Sequence, residues 1–379
     1  MLREPSTPRP DWTEKCTGVG FDYHSLDGTY WDESACYHFS SAEIDELESA
    51  AAELHSMCLQ AVEEIIRLDG FEQLAIPRWC VPYIVESWKL RAPSLYGRFD
   101  LSYDGENPPK LLEYNADTPT AALETAVVQW YWLQDVRQGN ADQFNSLHER
   151  LIKRWKILAK NIPVDTPVHF ACVKDNPEDL GNLEYLRDTA LQAGLDARFI
   201  FIEDIGWAQD LGRFVDCSDH PVRVLFKLYP WEWLVREPFG TNIPVSGTIF
   251  VEPAWKMLLS NKGLLAALWK LFPEHPNLLP TYPRPGKIDG AHVRKPILSR
   301  EGANIAIYSG RGQEIFATEG SYGAEGYIYQ ALHPLPEFDG NHPVIGAWIV
   351  GDQPAGIGIR EDLGLVTTNA SRFLPHYFD

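Results

Sequence analysis

The chain has 379 residues, 45% of them hydrophobic and 13 of them tryptophan, enough to bury a sizeable core as two or three packed subdomains. Its formal charge of −20, with no basic stretch standing out, argues against the phosphate backbone of nucleic acid and for a cationic small molecule such as a polyamine, although acidity also serves solubility. No apolar run reaches the length of a membrane span, Lys270 interrupting the longest at Leu264 to Phe272, and the start MLREPSTPRPDW lacks a secretory signal, so a cytoplasmic address is expected.

In chain order, only the proline-rich start is expected to be disordered. Cys16, Cys36, Cys58, Cys80, Cys172 and Cys217 show no CxxC pair or zinc-like clustering and read as reduced thiols. Ser41 to Leu68 carries apolar residues at helical spacing, among them Ile44, Leu47, Leu54 and Val62. Ser40 or Ser41 serves as N-cap and Asp69-Gly70 as the stop, which predicts a long amphipathic scaffold helix.

Leu95 to Thr118, LYGRFDLSYDGENPPKLLEYNADT, reads as a β-hairpin. Alternation puts Arg98 and Asp100 on one face with Phe99 and Leu101 behind, and Glu113 and Asn115 on one face with Leu112 and Tyr114 behind. Asp104, Gly105, Asn107, Pro108 and Pro109 supply the turn. Symmetric pairing then sets Asp100 opposite Glu113 and Arg98 opposite Asn115. Opposed carboxylates repel across a ladder, and a bound cation would remove the penalty. Magnesium suits two carboxylates and a carboxamide, with Arg98 free to grip a phosphoryl oxygen. A solvated hairpin with a charged outer face fits the same pattern.

Helices are expected over Ala121 to Gln138 and Asp142 to Leu158. From Pro167 the pattern becomes α/β: strands at Val168–Val173, Ala197–Ile202 and Val222–Leu228, and a helix from Glu178 to Gly194. Ligands of such a parallel unit lie beyond the C-terminal strand ends, here Asp175 to Glu184 and Glu203-Asp204. No GxGxxG follows the first strand, which speaks against a dinucleotide. Ile249 to Pro253 is a strand end before a helix that starts at Ala254 and includes Lys256, Asn261, Lys262 and Leu264 to Leu271. Strands are expected at His292–Arg300, Tyr327–Leu332, Val344–Val350 and Ala355–Arg360, with a turn at Gly351 to Pro354. Lys295 lies on a strand before the flexible loop Ser299 to Asn304, an arrangement that can hold phosphates under a lid or be an ordinary surface hairpin.

Taken together, RFD at Arg98 to Asp100, LLEYNADTPT at Leu111 to Thr120, EPAWK at Glu252 to Lys256, RKPILSREGANI at Arg294 to Ile305 and GIGIRED at Gly356 to Asp362 resemble the glutathionylspermidine synthase family, in its synthetase portion. The resemblance runs from about Asp11 to the C-terminus. It implies an α/β, permuted ATP-grasp fold in which metal residues precede phosphate lysines, with an inserted small α/β pre-ATP-grasp-like subdomain. The corresponding divisions are residues 1–160, with the metal-site hairpin, residues 161–250, the substrate-binding subdomain, and residues 251–379, with the phosphate lysines and lid. It also implies ATP-dependent amide formation, in which a carboxylate attacks the γ-phosphate and an amine displaces phosphate from the acyl phosphate.

Carried over by position, Asp100, Glu113 and Asn115 become magnesium ligands and Arg98 the group that stabilises phosphoryl transfer. Lys262 and Lys295 become phosphate lysines. Ser299, Arg300, Glu301, Gly302 and Asn304 form the lid, and Gln330, Ala331 and Leu332 run along the adenine. Arg360 meets the γ-phosphate or acyl phosphate, and Thr118 and Glu184 contact substrate. The expected partners are ATP with Mg²⁺, a peptide-like carboxylate and an amine such as a polyamine. The family's bifunctional members carry an N-terminal amidase with a nucleophilic cysteine, for which this chain has no room. Cys36 near His38 is not expected to be catalytic, so no hydrolase activity is anticipated. Two other readings remain: a catalytically silent nucleotide-binding regulator, and an ATP-grasp ligase using another nucleophile.

Overall fold

A computed structural model describes residues 1–26, 28–137, 139, 141–368 and 370–379. The chain runs through β1 (Leu2–Pro5), α1 (Trp12–Gly18), β2 (Ala35–Phe39), α2 (Ser41–Arg67), α3 (Val81–Lys89) and the hairpin β3 (Tyr96–Ser102) and β4 (Lys110–Asn115). A π-helical turn, Glu124–Val128, leads into α4 (Gln129–Val136), and α5 (Leu147–Leu158) follows. The α/β segment comprises β5 (Val168–Cys172), α6 (Pro177–Gln192), β6 (Ala197–Phe201), β7 (Gly206–Ala208), β8 (Arg213–Val215), β9 (Val224–Lys227), α7 (Trp231–Leu234) and β10 (Ile249–Val251). Last come α8 (Gly263–Leu271), β11 (Thr281–Tyr282), β12 (His292–Pro296), β13 (Ala306–Tyr308), β14 (Glu314–Ala317), β15 (Tyr327–Ala331), β16 (His342–Val350), β17 (Gln353–Asp362), β18 (Arg372–Leu374) and β19 (His376–Phe378).

Two antiparallel five-stranded sheets carry the site, one ordered β18-β17-β16-β3-β4 and the other β11-β15-β12-β13-β14. Beside them lies a parallel sheet, β10-β9-β5-β6, as its apolar strands predict; α6 joins β5 to β6 by short links, and longer connections that carry β7, β8 and α7 join the rest. The start of the chain is ordered: Leu2–Pro5 pairs antiparallel with Ala35–Phe39, so the disorder expected there is corrected. Its backbone groups find partners in a strand separated from it by too much sequence to show in local composition.

The long helix α2 starts at Ser40, which forms a capping box with Glu43: the Glu43 N–H donates to the serine hydroxyl at 3.4 Å, and the Ser40 N–H donates to the Glu43 carboxylate at 2.7 Å. Its apolar stripe is buried against α8, β16 and β17, and each fully buried Leu or Val contributes about 1.5–3 kcal/mol. Residues 254–271 form two elements instead of one continuous helix. A 3₁₀ segment, Ala254–Leu258, ends before α8, and Lys262 sits at the α8 N-cap. The Asn261 side chain holds that break by donating to the Leu74 carbonyl at 2.7 Å and accepting from the Gly263 N–H at 2.9 Å. The expected end of the helix after Ala121, Gln138, lies outside the described residues. Among the described residues, no helix is long and apolar enough to cross a membrane.

Candidate active site

The hairpin pairs as the alternation predicts, with Arg98 opposite Asn115 and Asp100 opposite Glu113. Phe99 and Tyr114 stack on the buried face with ring centres 3.9 Å apart. Past Asp100 the register shifts and Leu101 faces Leu111. That bulge leaves Leu112 without a cross-strand partner and turns it to the same side as Glu113, which corrects its expected place behind the polar face. Leu112 lines the cavity, and its carbonyl accepts from Lys295 Nζ at 3.0 Å.

A cavity of about 380 Å³ opens between the two five-stranded sheets. Arg98, Asp100, Glu113, Asn115 and Arg360 come from one sheet; Lys295 and Gln330 come from the other, and Lys262 from the start of α8. Arg98 grips both oxygens of Asp100, at 2.7 and 3.1 Å, and donates to the Thr120 carbonyl at 2.8 Å. Asn115 donates to Glu113 at 3.0 Å and to Asp100 at 3.3 Å. Lys262 Nζ lies 2.9 Å from Glu113 and donates to the Ser299 carbonyl at 2.7 Å, while Lys295 Nζ also donates to Gln330 at 2.7 Å. The repulsion between the opposed carboxylates is thus offset by cations of the protein itself.

Those neighbours set the acidity of each group. Burial pushes the Asp100 carboxyl up, and the arginine beside it only partly offsets this. Burial acts the same way on Glu113, but Lys262 and Lys295 outweigh it and hold Glu113 down at about 2. Burial lowers the Lys295 ammonium to about 8, against the pull of Glu113.

The donor set fits a magnesium ion. Two carboxylates and a carboxamide face one cavity. Magnesium commonly takes one or two protein carboxylates and completes its shell with phosphate oxygens and water.

The loop Ser299 to Asn304, expected as a lid, borders one side. Arg300, Glu301 and Gly302 line the cavity. Ser299 contributes its carbonyl, and Asn304 holds the base of the loop by donating to the Gly320 carbonyl at 3.0 Å and accepting from the Tyr322 N–H at 2.7 Å. Arg300 donates to Glu232 at 3.3 Å and lies over the Trp233 ring. Gly302 has φ +68°, and a Cβ there would come 2.7 Å from the Thr367 carbonyl, so this loop and the β17–β18 loop touch through it. Gln330, Ala331 and Leu332 line the cavity with Val293, Ile307 and Val344, an apolar slot suited to a flat ring. Arg360 donates to the Thr368 carbonyl at 2.7 Å and the Ser371 carbonyl at 3.3 Å, which fixes it at the cavity edge. Thr118 also lines the cavity, and its buried hydroxyl has no partner among the described residues.

The cavity ends against the C-terminal ends of β5 and β9, through Asn176, Glu178, Asp179, Leu228, Pro230 and Trp233. Glu184 is not there: it pairs with Arg187 at 2.5 Å. Six residues beyond Glu178, it stands about 9 Å down the helix and turned well away from that residue's face. Nor do Glu203 and Asp204 line the cavity; they hold Lys174, Asp204 at 2.6 Å. The acidic residues that do reach it are Glu178 and Asp179 in the first turn of α6. Their signal in the sequence is the Asn176 N-cap, whose side chain accepts from the Asp179 N–H at 3.0 Å. Burial and the neighbouring Glu178 raise Asp179 to about 7. Cys36 is buried, its thiol pushed up by burial and held by Arg137, in keeping with a structural role.

A family model described as "Glutathionylspermidine synthase preATP-grasp" matches residues 3–379. A Haemophilus influenzae protein with the provisional name acid–amine ligase is 46% identical, covering 98% of this chain and 97% of its own length. The trypanothione synthetase of Crithidia fasciculata is 28% identical over 85% of this chain, and the bifunctional glutathionylspermidine synthetase/amidase of Escherichia coli is 29% identical over 89%. The chain spans 53% and 59% of the lengths of these two. Among solved structures, the glutathione synthetase-like effector of Globodera pallida superposes with a TM-score of 0.60 at 11% identity, covering 98% of each chain.

Proposed function

The chain belongs to the glutathionylspermidine synthase family, and from that premise we propose that it is an ATP-dependent acid–amine ligase of permuted ATP-grasp architecture. The observation that carries this reading is the meeting, in one cavity, of Arg98, Asp100, Glu113 and Asn115 with Lys262, Lys295 and Arg360. Phosphoryl transfer asks little covalent help from protein; it needs in-line positioning and charge on the transferred group's oxygens. The two lysines suit the phosphate tail of ATP, and Arg98 and Arg360 the γ-phosphoryl group in flight. Asp100, Glu113 and Asn115 would hold magnesium, which when bound neutralises charge on the β- and γ-oxygens.

In the first half-reaction a substrate carboxylate oxygen attacks the γ-phosphorus, the bond to the β-bridging oxygen breaks, and ADP leaves. In the second, a neutral amine attacks the acyl carbon, the C–O bond to phosphate breaks, and the amine's proton leaves with the products. An ammonium substrate must first lose a proton, and the Glu178–Asp179 wall both attracts the cation and offers a carboxylate whose acidity near 7 suits taking that proton. The lid keeps water from the acyl phosphate. Residues 161–250 then serve as the acid- and amine-binding subdomain, and the acidic wall favours a polyamine or another dibasic amine. Phosphate release by the purified protein with Mg²⁺ and ATP, across a panel of acids crossed with amines beginning with glutathione and spermidine, tests the reading. Release that needs both an acid and an amine is expected. Nucleotide binding with no stimulation by any pair would sink it.

A further inference from the structure

A fully buried ion pair joins two segments that line the cavity. Lys227 Nζ, at the end of β9, donates to Asp117 at 2.6 Å and to the Tyr229 carbonyl at 3.0 Å, and neither side chain of the pair is exposed. The second oxygen of Asp117 accepts from the Trp231 N–H at 2.7 Å, at the start of α7. A neighbouring pair braces the same region. Lys256 lies 3.4 Å from Glu252 and donates to the Tyr96 and Ala116 carbonyls at 2.8 and 2.9 Å.

A buried ion pair is weak grounds for stability, since apolar residues of similar volume usually serve as well or better. What Asp117 does is join two walls. On its own segment Thr118, Pro119 and Thr120 line the cavity, and the Thr120 carbonyl holds Arg98. On the segment it caps, Pro230 and Trp233 line the cavity, while Glu232 and Trp233 meet Arg300 of the lid. Neither Asp117 nor Lys227 lines the cavity, and Lys262 and Lys295 at the phosphate end have other partners.

We propose that the Asp117–Lys227 pair is a positioning device that sets these walls against each other, and so governs how tightly acid and amine are held far more than how tightly nucleotide is held. Its kinetic half rests on the ligase reading above; its structural half does not. Two variants test it: Asp117→Asn, and Asp117→Leu combined with Lys227→Met, which leaves no unpaired charge inside. In both, Mg·ADP affinity measured by calorimetry is expected to stay within about twofold of wild type. The KM values for glutathione and spermidine, or for whichever pair drives the wild-type enzyme, are expected to rise about tenfold or more, with a smaller fall in kcat. Amide hydrogen exchange supplies a readout without substrate: residues 116–120 and 228–234 lose protection together while 292–296 do not change. Unaltered KM values in a folded double variant, or nucleotide affinity falling as far as substrate affinity, would overturn the proposal. If the wild-type protein turns over no pair, the ligase reading has failed and exchange alone decides; segments that respond separately, or not at all, overturn the positioning role.

Discussion

Asp100 and Glu113 face each other across the hairpin and carry the same charge, yet their neighbours divide them: two lysines hold Glu113 ionised, while burial works against Asp100. Removing the charge of Asp100 frees Arg98 and takes away one oxygen donor. Asp100→Asn is therefore expected to lower phosphate release by about 100-fold or more, and to abolish the effect of Mg²⁺ on nucleotide affinity with little change in Tm. Asp179 gives a pH prediction. Raised to about 7, it is neutral below that pH and anionic above it, so amine KM should rise as pH falls from 8 to 6, and the slope should flatten in Asp179→Asn. Glu124 gives another, read in stability. It is fully buried, accepts from the Tyr30 hydroxyl at 2.8 Å, and is raised to about 7 by burial and by Glu178. A carboxyl raised in the folded state contributes fully below its unfolded value near 4.5, and that contribution is lost as pH rises through 7. Glu124→Gln escapes the loss, so its Tm relative to wild type should rise between pH 5 and pH 8, by an amount on the order of 3 kcal/mol in unfolding free energy. Of these residues Asp100 was legible in the sequence, because alternation in a strand fixes a face from two or three positions. Asp179 was legible only as one member of the stretch Asp175 to Glu184, because choosing it over Glu184 requires knowing which side of α6 meets the cavity.

At the scale of elements, the hairpin shows what a strand pattern can and cannot specify. Period-two alternation gave the pairing of Arg98 with Asn115 and Asp100 with Glu113, but the bulge that turns Leu112 inward has no composition of its own. The break between Leu258 and Gly263 was hidden for a similar reason: apolar residues continue through it, and what ends the first segment is the distant Leu74 carbonyl that Asn261 reaches. The lid offers a test at this scale. Gly302→Ala adds a methyl group against the Thr367 carbonyl at a residue with φ +68°, where an L side chain costs about 1–2 kcal/mol. Calorimetry with Mg·ADP should show binding weakened about tenfold, because the lid can no longer close against the β17–β18 loop, while melting changes by only a few degrees.

For the whole molecule, the cavity belongs to no single sheet: the hairpin carboxylates, Lys262 and Lys295, and the acidic wall come from elements spread along the chain, and the lining arginines Arg98 and Arg360 are 262 positions apart. A ligand that grips all of them should stabilise the entire fold. At a hundredfold excess over Kd, Mg·ADP adds about 2.7 kcal/mol, a rise in Tm of about 3 °C for a chain of this length, and ADP with a chelator should give less. A scan showing equal shifts with and without the metal would count against Asp100, Glu113 and Asn115 as its ligands.

The sequence alone determined what depends on near neighbours along the chain: the long capped helix, the polar face of the hairpin, the parallel strands and the loop after Lys295, each written in periodicity or turn chemistry over a few residues. The tertiary structure decided what depends on distant partners, namely which carboxylates of α6 face the cavity, that the chain's first residues form a strand, and that Asp117 meets Lys227. Periodicity states which side of an element is apolar. It cannot state what that side will meet, because the meeting is fixed by packing among segments far apart in the chain.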